Sequence, residues 1–172
     1  MATVPSPRTW VVGETVTAAK MNELRDALNF LLSPPLFELF HSGSISPATS
    51  TQAVVPMDSE VIDRDSGHST VTNNSRYTSQ TAGYYLVNGA VGFVSNATGK
   101  RELTILVNGT TETYPSSVPG LAAGFTGLTT SGRVYLAVAD YAELYVWQNS
   151  GGALATNTTK GGPRFGGHWI SK

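Results

Sequence analysis

From residue 36 onward the chain is a succession of short β-rich runs separated by turn residues, and this punctuation constrains the fold most. Residues 101–107 alternate, with Leu103, Ile105 and Val107 on one face and Glu102, Thr104 and Leu106 on the other. Asn108-Gly109 follows directly. It is the strongest short hairpin signal, because the favoured two-residue loop needs positive φ at both central positions. A return strand is expected at residues 111–114. Further runs are residues 36–40, 52–57 (with 60–62 continuing past a kink), 84–94, and 133–138 paired with 141–148 through Ala139-Asp140. Asn149-Ser150-Gly151-Gly152 ends that pair as a turn, and residues 164–170 supply a closing strand. Short strands with turn signals about every 8–15 residues argue for a sandwich or barrel.

The first 35 residues read differently. Residues 1–8 hold two prolines among small residues and form an extended arm. Residues 15–32 carry the one helical pattern. Thr17 is placed to cap it, and Met21, Leu24, Leu28 and Leu31 recur at helical spacing on one face. Lys20, Glu23, Arg25 and Asp26 lie off that stripe, and Pro34-Pro35 stops the helix. The stripe spans roughly two heptads, short of the three to four of a coiled coil. Such a helix packs either on its own domain or on sister copies and a larger assembly.

Composition narrows the function. Only 13% of the 172 residues are charged, and the net charge is −1, which leaves no electrostatic footprint for nucleic acid. With no cysteine there is no disulfide scaffold, thiolate zinc site or thiol nucleophile. No run approaches the ~18 apolar residues of a membrane span. Residues 1–7 lack the basic and apolar regions of a signal peptide. His41, His68 and His168 lie in no nucleophile or metal motif, and no glycine run has phosphate-cradle spacing. Gly161-Gly162 and Gly166-Gly167 instead permit turns or close strand approach. Asp58, Glu60, Asp63 and Asp65 form one acidic cluster, read as a solvated loop with calcium as the sharper alternative. Ser/Thr/Gly-rich stretches at 42–51, 66–81 and 115–132 are candidate loops, the last carrying Leu121, Phe125 and Leu128 against a core edge or a neighbour.

Several segments then resemble a known fold in order and spacing. They are Gly83-Tyr84-Tyr85-Leu86-Val87, then Gly99-Lys100-Arg101-Glu102-Leu103 into Val107-Asn108-Gly109, then Val134-Tyr135-Leu136. Asp140-Tyr141-Ala142-Glu143-Leu144-Tyr145-Val146-Trp147 and Phe165-Gly166-Gly167-His168-Trp169-Ile170 complete the set. Over residues 36–172 the chain resembles C1q/TNF-like jelly rolls, with Ala139 where that family often has glycine. Trp10, Gly13-Glu14, Thr17-Ala18-Ala19, Met21-Asn22, Arg25 to Leu31 and Pro34-Pro35 resemble the N-terminal segment of virion surface proteins of tailed bacteriophages, of the capsid decoration and minor tail types.

The resemblance implies an all-β jelly-roll β-sandwich at residues 36–172, preceded by an attachment or trimerisation segment, an arm and one short helix, at residues 1–35. It implies a non-enzymatic homotrimer on the virion surface, on the capsid exterior ahead of the tail. Its partner there is the major capsid protein or another virion protein, and neither cofactor nor metal is expected. A tail-fibre or minor tail module contacting the host cell surface is the alternative. Of the strand aromatics Tyr84, Tyr85, Phe93, Tyr135, Tyr145, Trp147 and Trp169, alternation sends some outward, where subunit contacts use them. The expected attachment and trimer contacts are Trp10, Val11, Met21, Leu24, Leu28, Leu31, Tyr84 and Trp147.

Overall fold

The computed structural model describes residues 4–6, 8–159 and 162–172. Residues 1–3 and 7 of the expected arm, and Gly161 of the expected glycine turn, lie outside the described residues. The helix α1 spans Ala18–Leu32, and its first turn is capped as expected: the Thr17 hydroxyl accepts from the Lys20 N–H at 3.4 Å. At its other end the Ser33 N–H still reaches the Asn29 carbonyl before the prolines end the helix.

Ten strands follow: β1 Leu36–Phe40, β2 Ala53–Val54, β3 Ser59–Asp63, β4 Arg76–Thr78, β5 Gly83–Phe93, β6 Lys100–Val107, β7 Thr111–Pro119, β8 Thr126–Leu136, β9 Tyr141–Gln148 and β10 Arg164–Ser171. They form two antiparallel sheets. The first runs β3-β1-β10-β5-β8. The second runs β2-β9-β6-β7, with β4 sharing the β9 edge with β2. Inward residues of both sheets make one core, including Phe37, Leu39, Tyr77, Tyr85, Val87, Phe93, Leu103, Ile105, Leu136, Leu144 and Phe165.

The Asn108-Gly109 hairpin is present, with φ of +52° and +69° at the two residues. Its return strand runs on to Pro119. Two residues of that strand, Tyr114 and Pro115, stand opposite the single Thr104 where the register shifts. Tyr114 takes φ of +53° in this bulge. Its hydroxyl donates to the Arg133 carbonyl at 3.0 Å, so it joins the open edges of the two sheets.

Three expectations are corrected. Residues 60–62 do not extend residues 53–54, because β3 belongs to the first sheet and β2 to the second. Residues 133–138 do not pair with 141–148, because the turn at Ala139 carries the chain across from one sheet to the other. Ala139 adopts φ of +73° there, held by its N–H to Ser79 O at 2.9 Å and by Asp140 accepting the Ala137 N–H. The 115–132 stretch is mostly strand, with Leu128 in the core. Alternating small polar residues can face solvent while threonine and leucine face inward. Thr104 and Leu106 face away from Leu103 and Ile105, as the alternation predicts, and both are buried as well. Tyr145 and Glu143 stand opposite them in the register, and both are large enough to lie over their smaller neighbours.

Candidate functional site

The helix is attached to the sandwich through one buried side chain. Phe30 meets Trp169 edge-to-face at a ring separation of 4.9 Å, and the Trp169 indole N–H donates to the Ala82 carbonyl at 3.1 Å. The apolar stripe does not follow Phe30 inward. Met21, Leu24, Leu28 and Leu31 remain 52%, 36%, 60% and 68% exposed, and Leu32 is exposed beside them. The stripe is therefore real but uncovered by the chain's own sandwich. Trp10 and Val11 are also exposed, as is Val12 at the tip of the preceding turn.

Charged side chains fix this segment in place. Arg8 pairs with both Glu14 and Glu23, and Lys20 reaches Glu14 at 2.7 Å. The Glu14 carboxyl is held below its ordinary range, first by the Lys20 ammonium, then by the Val11 N–H and by Arg8. Nothing in the hydrophobic spacing marks these residues, since the network joins an arm to a helix face across 15 positions. A half-open cleft of about 400 Å³ lies between arm and helix, lined by Leu24, Ala27, Phe30, Leu31 and Trp169 with Arg8 and Glu23 on it.

The expected strand aromatics divide between two faces. Tyr84 and Tyr135 stand exposed on the outer face of the first sheet, edge-to-face at 5.3 Å. Trp147 lies on the outer face of the second sheet, half-buried with the Lys100 ammonium 5.5 Å from its ring centre. Tyr145 and Tyr141 share its face, the latter under the Arg76 guanidinium at 4.0 Å. Tyr85 and Phe93 are core residues. Tyr84 and Trp147 therefore do not come together within one chain. A contact between copies that joins two different patches has a place for each.

The titratable groups serve the fold. Asp63 accepts the N–H groups of Gly67 and His68, and the His68 ring lies 2.7 Å from Glu60 and 3.0 Å from the Asn74 carbonyl. Asp58 accepts from the Ser42 N–H and hydroxyl and from Ser59, with His41 at 3.2 Å. Burial pushes that carboxyl up, but these donors outweigh it and hold it low. Asp65 corrects the solvated-loop reading. It accepts the Tyr77 hydroxyl at 2.8 Å, keeps its other oxygen buried, and is pushed up by burial. The four carboxylates thus point to separate partners. Among the described residues no three His, Asp or Glu side chains converge on a metal-sized site. His168 stands exposed on the outer face of the first sheet, over a shallow dish of about 280 Å³ edged by the Glu38–Arg164 pair at 2.9 Å.

Two all-antiparallel sheets, in the orders β3-β1-β10-β5-β8 and β2-β9-β6-β7, match solved structures across nearly their whole length. The crystal structure of murine APRIL at pH 5.0 superposes with a TM-score of 0.61 at 13% identity, covering 80% of this chain and 99% of that one. The fold is a C1q/TNF-like jelly roll. The globular domain of zebrafish complement 1qA protein gives 0.60 at 10% identity, over 80% of this chain and 98% of that one. Eiger TNF from S. frugiperda gives 0.57 at 11%, over 81% and 94%. No family model and no curated protein sequence matches the chain. At these identities the likeness carries the jelly roll alone, and function rests on the surfaces described above.

Proposed function

We propose that this chain is a non-enzymatic structural protein, a homotrimer of jelly rolls that decorates a tailed-bacteriophage capsid and is held there by residues 1–35. The observation that carries the reading is the uncovered apolar face of α1. A 15-residue helix is marginal in water by itself. Only Phe30 of this one is buried by its own chain, so the remaining apolar side chains call for a partner. The exposed Tyr84–Tyr135 pair supports self-association of the jelly roll, where aromatic residues favour contact cores. The virion assignment is supported by the likeness of residues 10–35 to the N-terminal segments of such proteins.

Attachment of this kind is apolar, and three linked copies strengthen it through effective concentration. Undecorated capsids mixed with the full chain, and with a chain lacking residues 1–35, provide the test. Binding by the full chain alone, persisting at raised salt, is expected. Equal binding by the shortened chain refutes the anchor. The row of Tyr141, Tyr145 and Trp147 on the outer face of the second sheet favours a second reading, a tail module that touches the host surface. Antibody labelling of virions separates the two, since signal confined to the tail excludes decoration.

A further inference from the structure

The turn that precedes α1 is pre-formed. Glu14 N–H donates to the Val11 carbonyl at 3.0 Å, and the Glu14 carboxylate accepts the Val11 N–H at 3.2 Å. Gly13 supplies φ of +80° at the third turn position, which side chains resist. Arg8 and Lys20 hold Glu14 from two sides, and the Arg8 guanidinium lies 4.9 Å over the Trp10 ring. This polar bracing ends in an apolar tip: Val12 is fully exposed, Val11 largely so, and Trp10 is 40% exposed. A rigid tip of this composition binds at low ordering cost once a complementary hollow meets it.

The hollow is on the same segment. The cleft of about 400 Å³ between α1 and the arm residues Val4 to Ser6 has apolar walls of Leu24, Phe30, Leu31 and Trp169, and the chain's own Trp10 to Val12 tip is not among the described residues that line it. Its two charged residues, Arg8 and Glu23, already pair with each other, so an uncharged tip leaves no ion stranded. We propose that the Val11-Val12 tip of one copy seats in the α1 cleft of the next copy. A tip and a hollow at different places on one chain make a heterologous contact, which closes into a ring of three when the rotation between copies is a third of a turn. The exposed apolar residues from Trp10 to Leu32 present on the order of 1,000 Å² per chain, about 500 Å² for each of a ring member's two contacts, and the jelly rolls supply the rest of the ~800 Å² per partner of a stable interface. The inference rests on the trimer reading and names which residues make its N-terminal contact.

The absence of cysteine gives a clean test. Val12→Cys and Ala27→Cys are placed in separate full-length chains, which are mixed, refolded together and oxidised. A thiol-reversible dimer containing one chain of each kind, in excess over self-dimers of either, is expected. Val12→Asp in the full chain is expected to lower the mass seen by light scattering from three chains to one, with the melting of the sandwich unchanged. A chain that stays trimeric with Val12→Asp, or yields only Val12→Cys self-dimers, overturns the inference and leaves the trimer standing. A parent chain that is monomeric at every concentration overturns both.

Discussion

Arg101 is a fully buried cation with no carboxylate partner among the described residues, and replacing it by methionine tests how the jelly roll is closed at one end. Its guanidinium donates to three main-chain carbonyls, Asn96 at 2.8 Å, Thr98 at 2.9 Å and Lys100 at 3.1 Å, and lies 6.0 Å from the Phe93 ring centre. Burial pushes its pKa down, so holding the charge there carries a cost. Exchanging a whole buried ion pair for apolar side chains is often neutral or stabilising, because both charged partners leave together. Here the acceptors are backbone and stay behind. Hydrogen bonds to a charged group contribute about 1.5–3 kcal/mol each, and a stranded carbonyl costs about 1–3 kcal/mol. With three acceptors, part of the loss returned by relief of the buried charge, Arg101→Met is expected to destabilise by about 2–4 kcal/mol. For a domain of this size that corresponds to a melting temperature roughly 5–15 °C lower. Thermal and urea unfolding measure the shift, and hydrogen exchange should localise the loosening to residues 94–100. An unchanged or raised midpoint would refute the reasoning, since desolvation would then outweigh all three bonds.

Three further outcomes follow from the same geometry. Asp65 has a raised folded pKa, so its contribution is fully present below the ordinary carboxylate value and is lost as pH rises through the raised one. The melting-temperature advantage of Asp65→Asn over the parent should therefore grow with pH across that window, and a constant difference contradicts it. A Cβ at Gly132 would stand 1.9 Å from the Tyr114 ring, so Gly132→Ala should cost about 1–3 kcal/mol by urea unfolding. It should cost little in a Tyr114→Ala background, and equal costs in both would show that the ring is not the obstacle. Thr17→Ala should weaken the first turn of α1 by about 1 kcal/mol, read as faster amide exchange at residues 20–22 with the sandwich amides unchanged.

The parts of the fold that were legible in the sequence are those set by local chemistry. Thr17, Pro34 and the 36–40 run mark their elements because capping, ring sterics and alternation act within a few residues. Asn108-Gly109 did the same for the β6–β7 hairpin. Errors arose where one local pattern serves two tertiary ends. Ala139-Asp140 looks like a hairpin turn, yet it changes sheets, because the Ala139 N–H is held by Ser79, far away in sequence. The burial of Arg101 leaves no mark in the sequence, since its acceptors are backbone atoms that composition cannot reveal. At the candidate surface, the stripe from Met21 to Leu31 was visible from its spacing. Its exposure was not, because spacing defines a face and not what covers it. The Arg8–Glu14–Lys20–Glu23 bracing, and the tip at Val12 that it supports, depend on how the arm folds back on the helix.

We propose that the uncovered N-terminal surface and the jelly roll belong to an assembly of like chains. Size-exclusion chromatography with light scattering on the full chain tests this most directly. The expected mass is three times the 18.2 kDa of one chain, retained on dilution and at raised salt. A mass of one chain at every concentration would contradict the account.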